Sequence, residues 1–520
     1  MKKFTGLVVI LVLALVLASY GMGYLTEKKI KEDLHVVNQS NGLTAQIKEY
    51  HRGWFSSQVV LDWRLVVPEH VVNNANGQPE TIPSQEYRMK MPLTIHHGPI
   101  IFTGKTVKFG FGYANSELGL PPELTEQFNN AFADKSIQPK LDLSLFVSYL
   151  NNSSIDASIP SFKLLAKQGN GEFDWFGMNS ATTVSSDRNK VNGTLTIEGF
   201  SVGKEQVRTE VSGISSEYNL HKTETGIYLG DANLSFTSLS ITNKDKKIFD
   251  LSQFDIQSDT NIEDNLFHSH FKSSIEKVIA NGKTYGPGNL EVSIRNLDAQ
   301  VLARINDQFN RAQQGSDAER QQALLVMLPE LPKLFSQGAE FEVTEMNFVV
   351  PQGKIEGNLL ISLPKGNLSN PFELVQKIQG KGKLKVPALV VKELLTETIK
   401  QRLMTAPQPP QSIQQGIVQQ MQQQTDAQHP APASTQEAPK APAATPDANA
   451  PVPAATAPAA LTLEQASAQA AEMADKQLGL MVESGILVQQ GSDYLIEFNL
   501  SQGKISVNNK PFNPNMMKLQ

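Results

Sequence analysis

The segment Ser56-Ser57-Gln58-Val59-Val60-Leu61-Asp62-Trp63-Arg64-Leu65-Val66-Val67 carries the signal that decides the fold. Val59, Leu61, Trp63, Leu65 and Val67 fall on alternate positions, the mark of a strand with one buried and one solvated face. The same alternation returns at Leu141, Leu143, Leu145 and Val147, at Leu195 and Ile197, and at Leu234 and Phe236. It returns again at Leu290, Val292 and Ile294, and at Ile355, Leu359, Ile361 and Leu363. Turn signals at Asn192-Gly193, Gly286-Pro287-Gly288-Asn289 and Pro351-Gln352-Gly353 punctuate these runs. Long antiparallel meanders account for the pattern most simply.

Helices interrupt the strands. Pro121–Asp134 is one, and Asp298 caps a second in which Val301, Ile305 and Phe309 recur every four residues. Ser316 and Asp317 open a third, reaching to about Leu328. Asn370-Pro371-Phe372-Glu373 marks a short helix, with an N-cap asparagine and a proline in the first turn. Pro387 opens another, whose stripe of Val391, Leu394, Leu395, Ile399 and Leu403 suits packing on a sheet face. From residue 405 to 461 glutamine and then Ala/Pro repetition dominate, with too few large apolar side chains to offset the entropy of ordering. Order returns at Thr462, whose spacing to Gln465 fits a capping box, and a helix to about Glu483 precedes two or three small strands.

At the other end, Lys2 and Lys3 precede Phe4–Tyr24, a stretch of 21 residues without a charge. At about 1.5 Å per residue in a helix this covers roughly 30 Å, the thickness of a hydrocarbon core. A cleaved signal peptide is the competing reading: Ala18 with Tyr20 fails its need for small residues, while Ser19 with Gly21 and Gly21 with Gly23 meet it weakly. The fold class expected is α+β: an N-terminal transmembrane helix followed by a β-rich extracytoplasmic domain of long antiparallel sheets with interspersed helices. The expected division is a cytoplasmic tail (1–3), a signal anchor (4–24), a β-rich periplasmic domain (25–404), a linker (405–461) and a C-terminal helix with small strands (462–520).

The chain of 520 residues has a net charge of −6 and no cysteine. No basic run exists to neutralise phosphates, so nucleic acid is not an expected partner. Disulfides, thiolate metal sites and cysteine nucleophiles are excluded.

Three motifs remain. Tyr50 is followed by Arg52, Gly53, Trp54, Phe55, Ser56 and Ser57; His97, Gly98 and Pro99 come forty residues later; and Gly503-Lys504-Ile505-Ser506-Val507-Asn508 closes the chain. Together they resemble the YdgA-like proteins of Gram-negative bacteria, a likeness that covers most of the chain apart from the linker and departs at Asn508-Asn509, where Asn-Gly is expected. The resemblance implies an inner-membrane-anchored envelope protein, N-terminus inside and bulk in the periplasm, without an assigned activity. A looser likeness, of architecture alone, is to the AsmA-like envelope proteins.

Each motif also has a structural reading. Arg52-Gly53-Trp54 reads as a hairpin in which glycine takes backbone angles closed to other residues; its aromatics pack inside, the alternative being contact with lipid or a partner. His97-Gly98-Pro99 reads as a turn, because a general base needs an orienting partner that cannot be named. Gly104-Lys105-Thr106 fails the spacing of a phosphate loop. His268 and His270 make an incomplete ligand set. No catalytic residue, cofactor or metal ligand is therefore expected. Two functions follow: a non-enzymatic scaffold or interaction module of the envelope, or a lipid-binding or lipid-transfer protein with an apolar β-groove. In the second, Val59, Leu61, Trp63 and Leu65 are candidate lining residues, with ordinary core as their plainer role. The partners are the inner membrane, through the N-terminal helix, and an envelope protein or a lipid; the oligomeric state stays open.

Overall fold

In the computed structural model the alternation of Ser56–Val67 becomes one strand of a single very long antiparallel sheet. The structure describes residues 2–38, 43–67, 69–73, 79–103, 106–244, 246–313, 326–366, 371–405 and 462–512. The chain splits into two compact units, one of Met1–Pro387 with Ile486–Pro514, the other of Ala388–Gly485 with Asn515–Gln520.

Nineteen strands follow one another across the first unit, each paired antiparallel with the next. They are β1 (Leu43–Arg52), β2 (Ser56–Val67), β3 (Gln85–His97), β4 (Val107–Leu118), β5 (Leu141–Ser148) and β6 (Ser153–Ile159). The central strands are β7 (Gly171–Val184), β8 (Lys190–Lys204), β9 (Val207–Lys222), β10 (Tyr228–Asn243), β11 (Lys246–Glu263), β12 (Leu266–Ala280) and β13 (Gly288–Asp298). Then come β14 (Glu340–Val350), β15 (Gly353–Ser362), β16 (Gln379–Pro387), β17 (Asp493–Ser501), β18 (Lys504–Val507) and β19 (Lys510–Pro511). Short strands such as Ile100–Phe102 and Phe162–Leu165 attach at the margins. The last strands, expected in a part of their own, extend this same sheet: Lys383 of β16 pairs with Glu497 of β17.

One expected turn is corrected. Asn192-Gly193 lies inside β8, and the reversal occurs before it, with Ser185 N–H donating to the Lys190 carbonyl. Gly193 is there because the Tyr218 ring of the neighbouring strand lies against it, leaving no room for a β-carbon.

Helix α1 (Lys2–Val37) is unbroken and reaches beyond the uncharged stretch. Its last turns are held in place: Ile30 and Leu34 pack on the core formed by Val59, Leu61 and Ile95. The side chains of residues 1–12 lie outside those described, and among the described residues no helix is long and apolar enough to cross a membrane. Helix α2 (Pro122–Ala131) starts on a proline, as expected. Helix α3 (Ala299–Gln313) is capped by Asp298, whose carboxylate accepts from the Gln300 and Val301 amides. The helix expected from Ser316 falls mostly outside the described residues; α4 (Leu331–Phe335) follows it. Helix α5 (Pro371–Lys377) matches the Asn370-Pro371 signal.

The second unit pairs α6 (Ala388–Thr405) with α7 (Leu463–Glu483). Ala466, Ala470 and Ala474 are fully buried at four-residue intervals, so α7 offers a smooth stripe on which Ile399, Leu395 and Leu403 pack. Thr462 and Gln465 close the capping box. The linker between these helices lies outside the described residues.

Candidate functional site

The first two motifs meet at one end of strands β1–β5, around the point where α1 crosses them. Strand β3 ends on His97, which is 2% exposed, beneath the helix. Ser57 Oγ lies 2.9 Å from His97 Nε2, and the ring's Nδ1 faces the Trp54 carbonyl at 3.5 Å. The arrangement suits a neutral imidazole with its proton on Nδ1, the serine hydroxyl donating to Nε2. Burial lowers the His97 pKa, offset in part by the Trp54 carbonyl. The Tyr50 hydroxyl is buried nearby; burial raises its pKa, while Ser57 is close enough to lower it without meeting hydrogen-bond geometry.

Glycines let the helix come this close. A β-carbon on Gly23 would sit 2.5 Å from the His97 ring, and one on Gly98 would collide with the Gly110 carbonyl and lie 2.8 Å from Met22 Sδ. The Gly98-Pro99 bond is cis. His97 thus ends a strand before the expected turn, and its ring is a polar strut under the helix.

Arg52 ties the helix from the side. Its guanidinium pairs with Glu27 at 3.1 Å, reaches the Tyr20 hydroxyl at 3.4 Å, and lies over the Tyr20 and Tyr24 rings at 5.2 and 5.6 Å. Such a cation between two rings is attracted by both quadrupoles. Gly53 is required by close approach and not by backbone angle: a β-carbon there would meet the Ser56 carbonyl at 2.7 Å, and that carbonyl accepts from the Gly53 amide.

The expectation for the aromatics is corrected. Trp54 and Phe55 are exposed, because their turn projects past the strand ends, where Trp54 meets the Tyr20 ring at 5.0 Å. The third motif is elsewhere. Gly503 turns between β17 and β18, and Asn508-Asn509 between β18 and β19. Both asparagines adopt positive φ, 50° and 63°, so Asn509 takes the place of the missing glycine. Asn508 also donates to the Ile486 and Leu495 carbonyls and accepts from the Glu497 amide.

A second feature was hidden in the sequence. Residues paired across an antiparallel sheet share a face, and the register lines up the separate alternations. Ile95, Ala114, Leu145 and Ile155 stand in one row from β3 to β6. Ile159 starts the next, continuing through Met178, Ile197, Ile214, Phe236, Phe254 and Ile275 to β12. Further along β12, Phe271 leads to Val292, Val343 and Leu359, and the line ends at Phe498 and Val507. The opposite face reads Thr196, Ser215, Ser235, Asp255, Ser274, Asn289, Asn347, Glu356, Lys385.

Burial differs along the apolar face. Under α1, Val59 is 1% exposed and Leu61 4%, which makes two of the candidate lining residues ordinary core; Leu65 is exposed. From Met178 to Leu359 the large apolar residues of the row are only half-buried. Beside α1 a cleft of about 340 Å³ opens between Leu25 and Ile30 of the helix and Ile95, Phe111, Leu145 and Val147 of the sheet.

His270 Nε2 pairs with Glu291 at 2.8 Å, and among the described residues no group of three His, Asp or Glu could hold a metal ion.

The family model described as "Bacterial protein of unknown function (DUF945)" matches residues 1–515. No curated protein matches the chain.

Proposed function

We propose, for a chain that belongs to the DUF945 family of bacterial proteins of unknown function, a membrane-anchored, non-enzymatic lipid-binding role in which the apolar face of the sheet receives acyl chains. The observation that carries this reading is the two apolar rows, Ile159 to Ile275 and Phe271 to Leu359, whose large side chains are only half-buried. A sheet face of this kind ordinarily buries itself against another layer, and exposed apolar area of such extent marks a binding surface. The polar ladder on the reverse face makes the sheet two-sided, wet on one side and suited to hydrocarbon on the other.

Helix α1 is the anchor in this reading, supported by the 21 uncharged residues of Phe4–Tyr24. With Lys2 and Lys3 inside, the sheet lies on the periplasmic side of the inner membrane. The cleft beside α1 joins the anchor to the start of the apolar row. A scaffold role would rest on the 406–461 linker, which would let two structured parts meet partners and lies outside the described residues.

The test is to extract the full chain gently from native membranes and identify co-purifying lipid by mass spectrometry, beside a Phe236→Glu/Phe254→Glu double variant and a Ser235→Ala control on the polar face. Stoichiometric lipid on the parent and control, lost from the double variant, supports the role. Absence of lipid from a folded parent chain refutes it and returns the scaffold role to first place.

A further inference from the structure

We infer that the Trp54–Phe55 turn, the hairpin bearing Phe102 and Phe109, and the Tyr149–Leu150 turn form an apolar collar that sits in the lipid interface around the exit of α1. The six side chains are between 47% and 78% exposed, far more than large apolar residues usually are. They are neighbours by construction. His97 N–H donates to the Phe55 carbonyl, Gly98 N–H to the Phe111 carbonyl and Gly110 N–H to the Pro99 carbonyl. The Tyr149 hydroxyl donates to the Pro99 carbonyl at 2.5 Å, and its ring meets Phe111 edge-on. All lie at the same ends of consecutive strands β1–β6.

The helix identifies the occupant. Trp54 meets Tyr20 with the rings tilted by 45°, and His97-Gly98 receives Gly23 and Met22, all in the last turns of the uncharged stretch that ends before Glu27. A collar at that level of an anchor helix stands where the bilayer gives way to water, the position favoured by aromatic side chains with one apolar and one wet side. Away from the helix the next turns at this end of the sheet are polar. Further turns at the same end of the sheet are Ser185-Ser186-Asp187-Arg188-Asn189, Thr223-Glu224-Thr225-Gly226 and Asp264-Asn265. A partner protein would have no reason to share the level of the anchor; a membrane surface must.

The inference rests on the reading of α1 as the anchor, and the experiment separates the two. The chain has no cysteine, so single variants Leu13→Cys, Phe109→Cys, Leu150→Cys and Gln206→Cys of the full-length protein take one environment-sensitive fluorophore each. They are reconstituted in phosphatidylcholine/phosphatidylglycerol vesicles containing lipid spin-labelled near the headgroup or deep in the chain. Residue 206 lies at the opposite strand ends, between β8 and β9. The collar requires loss of most emission at 109 and 150 to the shallow quencher, and none at 206. Quenching at 13 alone leaves the anchor standing and overturns the collar. Quenching at 109 and 150 without 13 keeps the collar and removes the anchor. No quenching at 13, 109 or 150 overturns both.

Discussion

Gly23 of α1 and His97 of β3 are so closely apposed that the imidazole fills the space where a side chain on residue 23 would begin. Alanine favours a helix interior over glycine by about 1 kcal/mol, so Gly→Ala in α1 ordinarily stabilises. Gly21→Ala, with nothing within 4 Å, should follow that rule. Gly23→Ala should reverse it, since a clash in a packed seat costs about 1–3 kcal/mol. Chemical unfolding of the detergent-solubilised chain compares the two; equal gains would mean that the helix does not rest on His97.

Acid should loosen the same seat. The folded-state pKa of His97 lies below its ordinary value because burial disfavours the charged ring. Below about pH 6.5 the unfolded chain therefore binds a proton that the folded one refuses, and stability falls as pH falls, by at most about 1.4 kcal/mol per pH unit for one site. His97→Gln should flatten this part of the profile below about pH 6.5. An unchanged slope would assign the acid sensitivity to other groups.

Leu61 and Leu234 both point to the apolar face, but they are 4% and 37% exposed. Leu61→Ala should cost about 2–5 kcal/mol, whereas Leu234→Ala should cost about 1 kcal/mol or less. Urea titration of lipid-free protein measures both. Equal losses would show that the central sheet is covered in solution as its α1 end is.

The Asn508 side chain bonds the backbone at Ile486, Leu495 and Glu497 at positive φ, while Asn509 is held by its turn conformation. Asn508→Ala should lose about 1–3 kcal/mol, and Asn509→Gly should be neutral or slightly stabilising. A large loss for Asn509→Gly, seen as a lowered unfolding midpoint, would argue against the two-residue turn.

Local signals were legible where local chemistry decides. The alternation at Val59–Leu65, the Asp298 cap and the Thr462–Gln465 box all appear where their residues place them. What the sequence concealed depends on register. Nothing local says that Phe236 stands beside Phe254, or that Ser235 stands beside Asp255 on the reverse, because pairing joins residues about twenty apart. Gly193 looked like a turn because its reason, the Tyr218 ring, belongs to another strand. Trp54 and Phe55 read as buried because large aromatics usually are, whereas their turn lies beyond the last strand neighbour. His97 could be read as a turn residue but not as a strut, since Gly23 approaches it from 74 positions away.

In the main run each strand bonds to the strand before it and the strand after it, with short strands such as Phe162–Leu165 added at the margins. Such a sheet is extensible: a hairpin can be inserted or deleted in mid-run without disturbing the helix seat at one end or the small strands at the other. Each strand advances the far edge by roughly 4.8 Å, so nineteen of them span on the order of 90 Å along the hydrogen-bonding direction. The number of strands is then a ruler, and members of the family with more or fewer hairpins would reach correspondingly different distances from the same mooring.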